Sequence, residues 1–149
     1  MGIGIYTEAN SETLLSQDDL FTKPFAITFD GRTGGYKEVK LFLRNDDVTR
    51  YYTDLIVSLE DLQDPPVTSR PEDGFVWKLS YGDIKPTFND WVNTPAANSL
   101  TIPVSIGGLG DPDVSTYLPF WVFIQIPPNL DIQVITGVKF VIQGNEALI

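Results

Sequence analysis

The side chains that most often do chemistry in proteins are either missing from this chain or poorly placed for it. Histidine is absent, which removes the commonest general acid and base, the Ser-His-Asp triad and the usual imidazole ligand for transition metals. Cysteine is absent too, so thiolate nucleophiles, disulfide staples and thiolate zinc sites are excluded. What remains for acid–base work is a pair of carboxylates of the glycosidase kind. Glu60, Asp61, Asp64, Glu72, Asp73, Asp111 and Asp113 supply the residue type, but most fall in expected loops and nothing in the sequence holds two of them at a fixed separation. Neither Gly2-Ile3-Gly4 nor Gly107-Gly108-Leu109-Gly110 has the lysine and following helix of a phosphate cradle. We expect no catalytic residues and no enzyme.

Two other chemistries have candidates. Asn45-Asp46-Asp47 and Asp111-Pro112-Asp113 offer hard oxygen ligands of the kind calcium takes in sandwich loops, without the EF-hand pattern. The same residue types are what ordinary turns require, so the expectation is no cofactor, with structural calcium as the one ion these loops could hold. Aromatic rings stack on sugars when several share an exposed face. Trp77, Trp91 and Trp121, with Tyr36, Tyr51, Tyr52, Tyr81 and Tyr117, make a glycan the alternative partner. However, Trp77 is in phase with Phe75 and Leu79, and Trp121 lies in a stretch apolar on both faces, so both read as core or near-core packing. Trp91 falls in the long polar connection from Gly82 to Ser99, either as a contact at a binding tip or as the anchor of a loop packed on its own domain.

The elements that must carry these residues are strands. Phe25, Ile27 and Phe29 alternate up to Asp30-Gly31, as do Val39, Leu41 and Leu43 up to Asn45-Asp46-Asp47. Tyr51, Leu55, Val57 and Leu59 share one face of a third stretch, and Phe75, Trp77, Leu79 and Tyr81 share a face of a fourth. Leu100, Ile102 and Val104 make a shorter one whose Pro103 argues for a sheet edge. Leu118 to Ile126 is almost unbroken, as a central strand is, and Val138, Phe140 and Ile142 close the set. Only Pro86 to Val92 and Asn10 to Leu20 have room for a helical turn. Roughly seven short strands without helical periodicity predict an all-β, two-sheet antiparallel immunoglobulin-like sandwich, with a small β-barrel or jelly roll as the alternative. Leu41, Leu43, Leu55, Val57, Trp77, Leu79, Phe120, Val122, Ile124 and Phe140 are expected to face inward.

A chain of 149 residues makes one domain whose folding buries roughly 70% of its surface, enough without staples. Residues 25–149 form the sandwich. Residues 1–24 are either an N-terminal arm reaching a neighbour or an extra edge strand; Ile3, Ile5, Leu14 and Leu15, with Trp91, are the candidate interaction residues. Lys and Arg number 10 against 20 Asp and Glu, a formal charge of −10, which repels a phosphate backbone and disfavours anionic lipid. Nucleic acid and membrane are therefore not expected partners. Met1 to Tyr6 has no basic region leading into a secretory apolar run, and no segment reaches ~18 apolar residues, so synthesis in a cytoplasm is expected.

The run Tyr117-Leu118-Pro119-Phe120-Trp121-Val122-Phe123-Ile124-Gln125-Ile126-Pro127 resembles the penultimate strand of small immunoglobulin-like structural proteins of tailed bacteriophages, and Asp131 to Gln143 resembles their closing strand. Lys40-Leu41-Phe42-Leu43-Arg44-Asn45-Asp46, followed by Tyr51-Tyr52-Thr53-Asp54, is similar to the early strands of such domains. The resemblance implies a virion component of a tail, baseplate or head decoration, whose task is assembly with other virion proteins or with itself. It supplies no catalytic residues, and the first 24 residues are outside it.

Overall fold

A computed structural model describes residues 3–6, 27–29, 33–45, 47, 49–61, 69–70, 73–94, 99–107, 117–128, 133–135 and 138–148. Along the chain these form β1 (Ile3–Tyr6), β2 (Ile27–Phe29), β3 (Gly35–Asn45), β4 (Arg50–Asp61), β5 (Ser69–Arg70), β6 (Phe75–Tyr81), α1 (Phe88–Asn93), β7 (Ser99–Thr101), β8 (Tyr117–Ile126), β9 (Gln133–Ile135) and β10 (Val138–Leu148). A five-stranded sheet has the order β1-β3-β8-β6-β5 and a three-stranded sheet the order β10-β4-β7, while β2 pairs with β9; every pairing is antiparallel. This is an all-β two-sheet sandwich and not a closed barrel.

Alternation explains the layers. Leu41 and Leu43 of β3, Trp77 and Leu79 of β6, and Phe120, Val122 and Ile124 of β8 point to one side and are buried. They meet Leu55 and Val57 of β4 and Phe140 of β10 in a single cluster, so every residue expected to face inward does so. Phe120 and Phe140 touch edge to face, with centroids 6.1 Å apart and planes at 72°, the arrangement that aligns a positive ring edge with a negative face. The unbroken apolar run of β8 sits in the middle of its sheet, and β7, which ends just before Pro103, is an edge strand of the other sheet.

One phase is not as the sequence predicts. Alternation puts Tyr51 on the face of Leu55, yet Tyr52 is the buried one and Tyr51 is only half-buried. The cause is a β-bulge. Ile56 pairs with Gln143 and Thr53 with Asn145, so Asp54 and Leu55 together oppose the single residue Gly144. Asp54 has φ 53°, a left-handed conformation that Asp tolerates better than most residues because its short polar side chain bonds locally; Asn145 Nδ2 donates to Asp54 Oδ2 at 2.8 Å. The extra residue turns Tyr52 inward, where its hydroxyl donates to Glu146 at 2.7 Å. Gly144 makes the bulge possible, since a Cβ there would lie 2.8 Å from Leu55 Cδ2 and 3.1 Å from the Thr53 carbonyl oxygen. Gly144→Ala should cost about 1–3 kcal/mol through this overlap, read as a lower urea midpoint at unchanged slope; an unchanged midpoint means the bulge is not built this way.

Candidate functional site

Side chains that alternate with the core of the five-stranded sheet form its outer face. β3 contributes Tyr36, Glu38, Lys40, Phe42 and Arg44, β8 contributes Tyr117, Trp121 and Phe123, and β6 contributes Lys78 and Ser80. Part of this face is roofed by the connection after β6. A helix as short as α1, of 6 residues, is marginal in isolation, and two devices hold it. Thr87 caps it through a capping box: Asp90 N–H donates to Thr87 Oγ1 at 3.2 Å, and Thr87 N–H donates to Asp90 Oδ2 at 2.8 Å. Thr87, through its backbone amide first and then its hydroxyl, holds the Asp90 carboxyl below the usual carboxylate range.

The second device is Trp91. Its indole packs on Phe123 at 5.4 Å, and Phe123 is stacked on its other neighbour, Tyr36, also at 5.4 Å. Trp91 Nε1 donates to Glu38 at 3.0 Å, and Lys78 Nζ donates at 2.6 Å to the Trp91 carbonyl, which also accepts from the Thr94 N–H at the helix end. Trp91 is consequently 2% exposed. It is the anchor of the connection, and the reading of Trp91 as an exposed contact is corrected: burying an indole while pairing its N–H with a carboxylate outweighs presenting it to solvent.

What the anchored segment leaves in solvent is a different set. Ile84 is 87% exposed, Phe88 66% and Val92 59%. Phe88 and Val92 are i and i+4 on α1 and share a face, and Ile84 precedes them in the bend after β6. None of the three is among the candidates named from the sequence, although apolar residues at a spacing of four within a polar stretch mark them there, in the same run as the larger Trp91. Beside them Ser80, Ile84, Lys85, Pro86, Asp90, Asn93 and Thr94 line an open cleft of about 450 Å3.

Trp121 also departs from expectation. It is half-buried on the outer face rather than in the core, because the buried phase of β8 belongs to Leu118, Phe120, Val122, Ile124 and Ile126; an apolar run gives no phase by itself. Lys40 lies over its ring at 5.8 Å, and its indole N–H reaches the Asp83 carbonyl at 3.4 Å. Trp77 is fully buried, so the three tryptophans do not share an exposed face.

Ile3 and Ile5 are core residues, 7% and 0% exposed. Their strand β1 pairs with β3, Ile5 opposite Leu43, so as interaction residues of an extended arm they are corrected: on an edge strand in this register the isoleucines point between the sheets. Leu14 and Leu15 lie outside the described residues. So do Asp46 and the Asp111-Pro112-Asp113 run. Asn45 is buried, with Oδ1 accepting from Asp47 N–H and Nδ2 donating to the Arg50 carbonyl, both at 2.9 Å. Asp47 accepts from the Thr49 backbone and hydroxyl and from Arg50, so these oxygens shape a turn. Among the described residues no cluster of three or more His, Cys, Asp or Glu is placed to hold a metal.

The Thr49 hydroxyl, then its amide, and Arg50 hold the Asp47 carboxyl below its ordinary value. A lowered folded-state value adds stability above the unfolded value near 3.9, and that stability is lost as the pH falls through the folded value. The stability difference between the parent and Asp47→Asn should therefore be constant above about pH 5 and shrink in stronger acid. Urea midpoints taken from neutral to acid pH check this, and a difference that grows in acid contradicts it.

No family model, curated protein or solved structure matches this chain. The surface itself must carry the functional reading.

Proposed function

We propose that this chain is a non-catalytic structural protein of a bacteriophage virion, in a tail, baseplate or head decoration, that works through contacts with copies of itself and with other virion proteins. The virion assignment rests on the resemblance of the segments from Lys40 to Asp54 and from Tyr117 to Gln143. The observation that carries the contact reading is the exposed set Ile84, Phe88 and Val92 on a segment pinned to the sheet by Trp91. Apolar side chains held rigidly in solvent lose little conformational entropy when a partner covers them. A patch of this size is too small for a stable dimer in dilute solution. In a repeated assembly such contacts multiply, because each subunit is held by several neighbours at high effective concentration.

Light scattering over a wide concentration range tests this on the full chain and on Phe88→Ser/Val92→Ser. Both positions are exposed, so the double variant should keep its stability to within about 1 kcal/mol. The parent mass should rise above the 16.6 kDa monomer as concentration increases, and the variant should remain monomeric. A parent that stays monomeric throughout, or a variant that associates equally well, overturns the reading.

A further inference from the structure

We infer that self-association through α1 is controlled by ionic strength: copies are held apart by their own negative charge and meet once salt screens it. This rests on the proposed contact of Phe88 and Val92 and assigns its regulation. Residues 82–94 carry three charged side chains, Asp83, Lys85 and Asp90, and each is engaged within its own chain. Asp83 pairs with Lys40, and Lys85 with Glu38 at 3.5 Å. The Asp90 carboxylate accepts from the Thr87 amide at 2.8 Å. Lys78, beneath the segment, donates to the Trp91 carbonyl at 2.6 Å. An ion pair made across copies would therefore break one made within a copy, and ion pairing contributes little to joining them. What the segment offers a second copy is apolar, Phe88 and Val92 standing exposed on α1.

The charge of the whole chain then sets the sign of the salt effect. Each copy carries −10, and the repulsion between two copies scales with the product of their charges. At about 0.01 M salt the Debye length is about 30 Å, so two touching copies feel most of one another's charge. Above about 0.1 M it is shorter than about 10 Å, and only charges close to the seam still interact. The apolar contact survives this screening while the opposing repulsion does not. Association therefore strengthens as salt is added, the reverse of complexes steered together by opposite charges.

Amide shifts of residues 82–94 in the full chain, followed through dilution series at about 10, 100 and 300 mM NaCl, give the association constant of this contact at each Debye length. It should rise roughly tenfold or more from the lowest salt to the highest. Asp54→Asn/Glu60→Gln removes two exposed carboxylates from β4, in the other sheet, and lowers the charge to −8, with 10 cations against 18 carboxylates in place of 20. This variant should associate several-fold more tightly than the parent at about 10 mM and like the parent at about 300 mM, a difference that salting-out of apolar surface does not produce. An association constant that is the same at every salt concentration, or that falls as salt is added, overturns the inference and leaves the contact standing. So does a variant no tighter than the parent at low salt. A parent that stays monomeric at every salt concentration overturns both.

Discussion

Phe120→Ala should lower the stability of the chain by about 3–5 kcal/mol, read as a shift of the urea midpoint. Phe120 is fully buried in the central strand of the larger sheet. It lies opposite Leu41 on one side and Tyr81 on the other, and it bridges to the second sheet through the ring of Phe140. Truncation removes apolar area from the core and leaves a cavity that strands on three sides cannot readily close. Since a domain has only about 5–15 kcal/mol in total, the variant should sit near the limit of folding. A midpoint equal to the parent's would mean that the two sheets do not meet at this residue.

Ile5→Asp should be comparably damaging, on the order of 4 kcal/mol, because it places a carboxyl where no water reaches. Ile5 is fully buried and its strand closes one edge of the five-stranded sheet against Leu43. An arm that extended into solvent in the free protein would tolerate the same substitution with a change within about 0.5 kcal/mol. Thermal unfolding of the isolated variant therefore separates the two roles open to this segment in the sequence, and a parent-like melting temperature would restore the arm.

Sequence periodicity reports a residue's side of a strand only while the strand is regular. In Val39 to Leu43 and Phe75 to Tyr81 it is regular, and the inward set is legible directly. In β4 the bulge at Asp54 shifts the phase by one, so Tyr52 replaces Tyr51 in the core; a positive φ at a non-glycine residue leaves no mark in composition. In β8 the apolar run hides the phase altogether, since Trp121 and Phe123 on the outer face are as apolar as Phe120 and Val122 beneath them. Phe123 needs that character because Trp91 of α1 packs on it, whereas Trp121 is only partly buried on the same face.

The contact segment was hidden for a related reason. Gly82 to Ser99 is polar on average, and a helix of 6 residues is too short for an apolar stripe to stand out against loop composition. Thr87 and Asp90 form the capping pair that marks its start, but fixing that start does not set Trp91 apart, because Phe88 three residues before it is its neighbour on the helix surface. Which of the three is buried is decided by Glu38, Lys78 and Phe123, far away in sequence.

The central claim, that copies of this protein meet through the surface pinned by Trp91, is tested most directly by amide chemical shifts of the labelled full chain followed through a dilution series. The account predicts concentration-dependent shifts that cluster at residues 82–94 and that vanish in Phe88→Ser/Val92→Ser. Shifts that instead cluster along the β10 edge, or an amide spectrum that does not change with concentration, would contradict it.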